Sequence, residues 1–221
     1  MDDTQNWRPM AVEDAARLMS GVAVPWWIAG GWAIDLFLGQ QTRSHGDTDI
    51  LILRNDQLIV RDFLSKKGLS LYKAQQPGLK PWLAGEFQAR PFDDIWCRWT
   101  SESPWVLQLM LLCTNGDEWV FKRDPAIRGR LEDIGRRTQS GIPYLSPHIQ
   151  LLYKAKQKTQ EKDQSDFDLA VPEMQREEKV WLLQNLERQF PHGHEWIERL
   201  REVTAQRAPG GFIAGPRSTA G

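Results

Sequence analysis

The chain has 221 residues, with 28 Lys and Arg against 29 Asp and Glu, a formal net charge of −1. That balance gives no global case for nucleic-acid or membrane binding, while 41% hydrophobic and 26% charged residues match a soluble globular protein. The length suits one large domain or two small ones, with a core that needs no staples.

The N-terminus "MDDTQNWRPM" is acidic, and no run approaches 18 apolar residues. A signal peptide and a membrane span are therefore not expected, and the expected location is the cytoplasm. Cys97 and Cys113 sit in apolar runs without metal-ligand spacing, so they read as buried thiols.

In chain order, residues 11–22 carry apolar groups at Ala15, Leu18, Met19 and Val22, which is helical spacing. Residues 24–29 read as a short strand stopped by Gly30 and Gly31, and residues 32–38 as a short helix. Residues 48–53 form a second strand. Asn55 is placed to cap a helix that runs to Lys67 and closes at Gly68. Residues 69–73 read as a third strand. The stretch "QPGLKPWLAGEFQARPF", 76–92, reads as a long loop with a helical turn. Strands follow at 94–99 and 105–112. Asn115-Gly116 turns the chain into a returning strand at 119–122, and a last strand spans 142–145.

After Ser146-Pro147, an N-cap followed by proline at the first helical position, the pattern becomes helical over 148–158, 173–189 and 194–206. The expected architecture is α/β: a mixed β-sheet flanked by helices over 1–145, a helical C-terminal domain over 146–206, and a flexible Gly/Pro-rich tail over 207–221. A cleft is expected between the two domains. Eleven tryptophans are many for this length, and Trp82, Trp96 and Trp99 are candidates to line an acceptor pocket.

The chemistry concentrates in "GGWAIDLFLGQQTRSHGDTDILIL", residues 30–53. Strand alternation puts Asp47 and Asp49 on one face, roughly 7 Å apart. Two carboxylates so placed repel unless a cation lies between them. Mg²⁺ takes one or two protein carboxylates and completes its shell with water and phosphate, and paired metals support phosphoryl-type transfer. Gly30 and Gly31, between a strand and a helix N-terminus, suit a phosphate. Arg43 and His45 precede the aspartates at two-residue spacing and are expected on the same face, where Arg43 would pair with phosphate or with Asp47.

"GGWAIDLFLG" followed by "TRSHGDTDI" resembles the DNA polymerase β-type nucleotidyltransferase superfamily, and within it the small antibiotic nucleotidyltransferases acting on aminoglycosides and lincosamides. The specific part spans about residues 24–53, and a looser match continues to "GIPYLSPHIQLLYKAK". The resemblance implies a nucleotidyltransferase fold and Mg²⁺-dependent transfer of a nucleoside monophosphate from ATP or another NTP to a hydroxyl of a small molecule, with release of pyrophosphate. It implies that Gly30, Gly31, Arg43, His45 and Lys154 hold the nucleotide, and that Asp47 and Asp49 ligate one or two Mg²⁺. The same pattern asks for a third carboxylate on a neighbouring strand, where this chain has Gln108 in "WVLQLMLL". A glutamine can offer a neutral carbonyl oxygen to a metal but cannot act as a base, so either the alignment is shifted, or another acid among Glu86, Asp93 and Asp94 serves, or the second metal is weak.

Two other readings stand beside this one. A toxin-like member acting on RNA or protein would show a basic stripe of Lys154, Lys156 and Lys158 with Arg136 and Arg137. A nucleotide-binding module of weak activity would bind ATP without turnover. His192 and His194 have no third ligand near them and read as an interhelical turn.

Overall fold

A computed structural model describes residues 3–74 and 78–205. The expected tail at 207–221, and residue 206, lie outside the described residues. Helix α1 spans Val12–Met19 and buries Val12, Ala15, Ala16 and Met19 along one side. Strand β1 is Trp26–Ile28, and α2 runs Gly30–Leu38, so both glycines belong to the helix rather than to a turn before it. Strand β2 is Asp49–Leu53.

A 3-10 turn at Arg54–Asp56 precedes α3, Gln57–Lys66, whose N-cap position is Asp56. The cap expected at Asn55 is not formed, because that residue lies inside the tighter turn. Gly68 does end the helix, at φ 94°. Strands β3 (Ser70–Ala74) and β4 (Leu79–Pro81) follow, β4 lying within the expected long loop. It pairs antiparallel with β3 as the return arm of a local hairpin, in a stretch whose Pro and Gly read as loop.

Next come β5 (Asp94–Arg98), β6 (Trp105–Asn115), β7 (Glu118–Val120), β8 (Arg128–Arg130), β9 (Gly135–Arg137) and β10 (Pro143–Leu145). The chain then turns helical: α4 is Pro147–Lys154, α5 Glu161–Glu173, α6 Arg176–Gln189 and α7 Glu195–Ala205. Strands β8 and β9, rich in Arg and Gly, were not expected. Neither was α5, whose sequence EKDQSDFDLAVPE is polar over its first half and shows only the short apolar stripe of Phe167, Ala170 and Val171.

The strands form one mixed sheet in the order β4-β3-β5-β6-β2-β1-β10-β9, with β7 and β8 extending from β6. The centre is apolar for a physical reason. Ile50, Ile52, Leu107, Leu109, Ile95 and Cys97 all point to one face and are buried against helices. Their neighbours Asp49, Gln108, Met110, Asp94 and Trp96 alternate onto the other face and stay half-buried. Helices α4 and α5 pack against α2, so the helical segment closes over the start of β2. No described helix is long and apolar enough to cross a membrane.

The remaining side of the sheet is packed to the limit at Gly135. A Cβ there would collide with the Trp27 ring and lie 2.8 Å from the Tyr144 carbonyl oxygen. Backbone cannot yield as a flexible side chain can. Gly135→Ala is expected to destabilise the protein by about 1–3 kcal/mol, read as a lower midpoint in thermal or urea unfolding.

Candidate active site

The acids are presented by a simple alternation. Thr48 turns inward, its hydroxyl donating to the Met10 carbonyl at 2.7 Å, so Asp47 and Asp49 on either side of it face outward together. They line a cavity of about 250 Å³ with Gly30, Gly31, Arg43 and Lys154, as the sequence placed them. Lys122, Arg123, Lys156 and Lys162 complete the polar rim. A larger groove of about 1240 Å³ lies along the far edge of the sheet by Trp26, Trp27 and Arg136, but it contains neither aspartate and neither glycine of the motif.

The glycines act first by clearing space. Gly30 sits at φ 65°, where a side chain would be strained, and a Cβ on it would strike the Asp49 carboxylate. A Cβ on Gly31 would strike Arg43 and His45. The Gly30 amide donates to the Gln150 side chain at 2.9 Å. The glycines thus bring the N-terminus of α2, with its positive dipole end, directly against Asp49.

Asp49 is the most perturbed acid of the cavity. Burial, with the adjacent Asp47 as the next cause, pushes its carboxyl up to about 7, against the opposing pull of Lys154 and Lys162. Its Oδ1 is buried with no hydrogen-bond partner among the described residues. A buried oxygen with no partner and a like charge beside it is the donor set that a divalent cation satisfies. Among the described residues no three His, Cys, Asp or Glu side chains converge on one point. The set therefore fits Mg²⁺, which completes its shell with water and phosphate, better than an all-protein cage.

The cationic side is built by α5. Arg43 forms a two-pronged pair with Asp166, Nε to Oδ1 and Nη2 to Oδ2, both at 3.0 Å. The expected pairing of Arg43 with Asp47 is not made, because Asp166 offers a fully buried partner with matching geometry. Lys154 Nζ lies 3.0 Å from Asp163 and 2.8 Å from Asp166. It lines the cavity but is held by two acids, so it positions the wall more than it reaches out. Burial alone would raise the Asp166 pKa, but the hydrogen bond from Arg43 and the charge of Lys154 hold it below the usual carboxylate range.

His45 is a correction. Its side chain is 2% exposed, with Nε2 at 2.5 Å from Asp35 Oδ2 and the ring 4.4 Å from Trp32. Asp35 also accepts from the Thr42 backbone and hydroxyl. The histidine ties the 39–48 loop to α2 and does not line the cavity.

Gln108 lies on β6, the strand next to β2. It pairs in register with Asp49 on the parallel neighbour, so both side chains share a face. Its Nε2 turns the other way, to Asp94 Oδ1 at 3.2 Å on β5. The three tryptophans do not form one pocket. Trp82 is in the core, Trp99 is exposed at a separate groove, and Trp96 packs edge-on between Trp7 and Trp105.

Two useful cations escaped the sequence. Lys162 is exposed at the rim yet acts on Asp49 through space, and no ion pair is described for it. Arg123 donates to the carbonyls of Tyr153 and Ala155 at 2.6 and 2.7 Å, ending α4 at the cavity edge. Both depend on α5 and α4 folding back, which no local motif encodes.

Because the folded-state pKa of Asp49 lies above its unfolded value of 3.8, this group favours folding below about pH 4. That contribution is lost as pH rises toward 7. Asp49→Asn is therefore expected to stabilise the metal-free protein by about 1–3 kcal/mol at pH 7.5. The gain over wild type should shrink at pH 4.5, as read by thermal melting in EDTA.

A family model for aminoglycoside-2''-adenylyltransferase matches residues 11–78, the segment that contains both glycines and both aspartates. No curated protein sequence matches the chain. Among solved structures, the lincomycin-bound lincosamide antibiotic adenylyltransferase LnuA is 20% identical. That match covers 75% of this chain and 97% of that one, with a TM-score of 0.51. The solution structure of the antibiotic-resistance factor ANT(2'')-Ia is 15% identical, covering 92% and 100%, with a TM-score of 0.54. At these identities the structural likeness establishes the fold. The chain has the nucleotidyltransferase fold and resembles the small aminoglycoside and lincosamide nucleotidyltransferases.

Proposed function

We propose that the chain is a nucleotidyltransferase that moves a nucleoside monophosphate from an NTP, ATP by preference, to a hydroxyl of a small antibiotic-like molecule. The observation that carries this is the partnerless buried oxygen of Asp49, beside Asp47, at the N-terminus of α2 in a cavity rimmed by Lys156 and Lys162. A bound Mg²⁺ on Asp47 and Asp49 would neutralise charge and orient the phosphates. The chain's own part is positioning: α2 directs its positive end toward the phosphates, Lys156 and Lys162 offset their charge, and Arg43 and Lys154 hold the wall in place through Asp166.

The preference for adenine and for an antibiotic-like acceptor rests on the matched adenylyltransferase family and on the shared fold. We retain the division into an α/β domain over 1–145 and a helical domain over 146–206 as part of the proposal, with the cavity where they meet. The cytoplasm, where NTP is abundant, is the location that suits the reaction. The RNA- or protein-modifying alternative loses its main support, because Lys154 is buried against two acids and Arg136 is paired with Glu178. The basic stripe is not one open surface.

The test is pyrophosphate release from Mg-ATP, with lincomycin, kanamycin and water as acceptors. Asp47→Asn and Asp49→Asn should each lower release by about 100- to 1000-fold, as loss of one preorganised electrostatic contact at the reacting centre does. Lys162→Ala should raise the KM for ATP several-fold with a smaller change in kcat. Unchanged release in both aspartate variants contradicts the proposal.

A further inference from the structure

Transfer to a hydroxyl requires a group that takes its proton. The acids that line the cavity besides Asp47 and Asp49 are Asp93 and Asp163, and both are committed, as is Asp166 behind them. Asp163 and Asp166 hold Lys154 and Arg43, and Asp93 is paired with Arg54 and Lys122. Glu86 is paired with Lys73 at the far side of β3.

Asp94 differs. It stands just outside the cavity lining, on β5 opposite the lining residue Met110, two strands from Asp49 and on the same face of the sheet. No ion pair is described for it, and its described side-chain partner is the Gln108 amide at 3.2 Å. Asp94 and Asp49 act on each other's charge through space. Burial raises the Asp94 pKa, with Lys122 opposing through space, which makes it a better proton acceptor than a solvated carboxylate.

Resting on the nucleotidyltransferase reading above, we infer that Asp94 is the proton acceptor for the incoming hydroxyl, and that Gln108 is a positioning residue that fixes its carboxylate. Asp94 lies two strand spacings of about 4.8 Å from Asp49 and two residues along the strands from its row, where Trp96 is the residue opposite Gln108, and the Gln108 amide spans the diagonal between them. The acceptor would then lie over β5 and β6, with the half-buried Trp96 beside it on the same face. In the step itself the hydroxyl proton passes to Asp94 Oδ, and the alcohol oxygen bonds to the α-phosphorus. The bond from that phosphorus to the bridging oxygen breaks, and pyrophosphate leaves with the electron pair. Asp94 returns its proton to solvent.

A Gln at position 108 explains itself in this arrangement. An acid there would face Asp94 and Asp49 together and add a third like charge. An amide can donate to Asp94 while leaving that carboxylate free to accept.

The experiment is steady-state pyrophosphate release from Mg-ATP with lincomycin, kanamycin and water as acceptors, together with calorimetric titration of Mg-ATP into each variant. Asp94→Asn should lower kcat by about 100-fold or more, with the KM and Kd for ATP within about twofold of wild type. Asp94→Glu should recover at least tenfold of the loss. Gln108→Leu should lower kcat by about tenfold with ATP binding retained, and Gln108→Asn should restore part of it. Asp94→Asn with kcat within about threefold of wild type overturns the inference alone. A wild type that binds no Mg-ATP, or that releases no pyrophosphate with any of the three acceptors, overturns the functional reading and the inference with it.

Discussion

Two carboxylates held side by side at a buried strand edge set the terms for everything around them. Asp49 has an oxygen removed from water and without a partner, and Asp47 stands two residues away on the same face. Alone, the pair costs stability, which is why the Asp49 pKa rises. The chain retains it by surrounding it with positive features at graded distances: the N-terminus of α2, brought into contact by Gly30, and then Lys154 and Lys162 acting through space. What remains missing is a charge between the carboxylates, and a cation carried with a polyphosphate supplies it.

The second dependence is of one segment on another. Helix α5 carries Asp163 and Asp166, and these acids arrange the cations contributed by the 39–48 loop and by α4. Removing a single member of such a buried set leaves uncompensated charge and typically costs about 3–5 kcal/mol. The nucleotide wall is therefore a property of the helical segment as much as of the sheet. The Asp35, Thr42 and His45 cluster plays the matching part on the other side, holding the loop that delivers Asp47.

Much of this was legible in the sequence, where local rules decide the outcome. The Asp-Thr-Asp alternation follows from the two-residue period of a strand, and the Asn-Gly hairpin and the Ser-Pro helix start formed where turn and cap chemistry put them. The rest was masked by turn-forming or polar residues. Strand β4 is the return arm of a short hairpin with β3, and α5 is held by a short apolar stripe of Phe167, Ala170 and Val171 together with the buried ion pairs of Asp163 and Asp166. His45 sits at the right spacing but turns to Asp35, whose buried carboxylate offers it a partner that the local sequence does not show. Gln108 stands beside Asp49 where the pattern asks for an acid, and the sequence already offered Asp94 as one of three acids that could serve. The register shows that the neighbouring strand brings Asp94 to its amide.

The most direct measurement is the position of Mn²⁺ in a crystal grown with Mn²⁺ and a non-hydrolysable ATP analogue, located by its anomalous scattering. The expected peak lies about 2.1 Å from Asp49 Oδ1. A carboxylate oxygen of Asp47 and phosphate oxygens should complete its shell, with the triphosphate along the N-terminus of α2. A peak away from both aspartates, or a nucleotide seated in the groove beside Trp26 and Arg136, would contradict it.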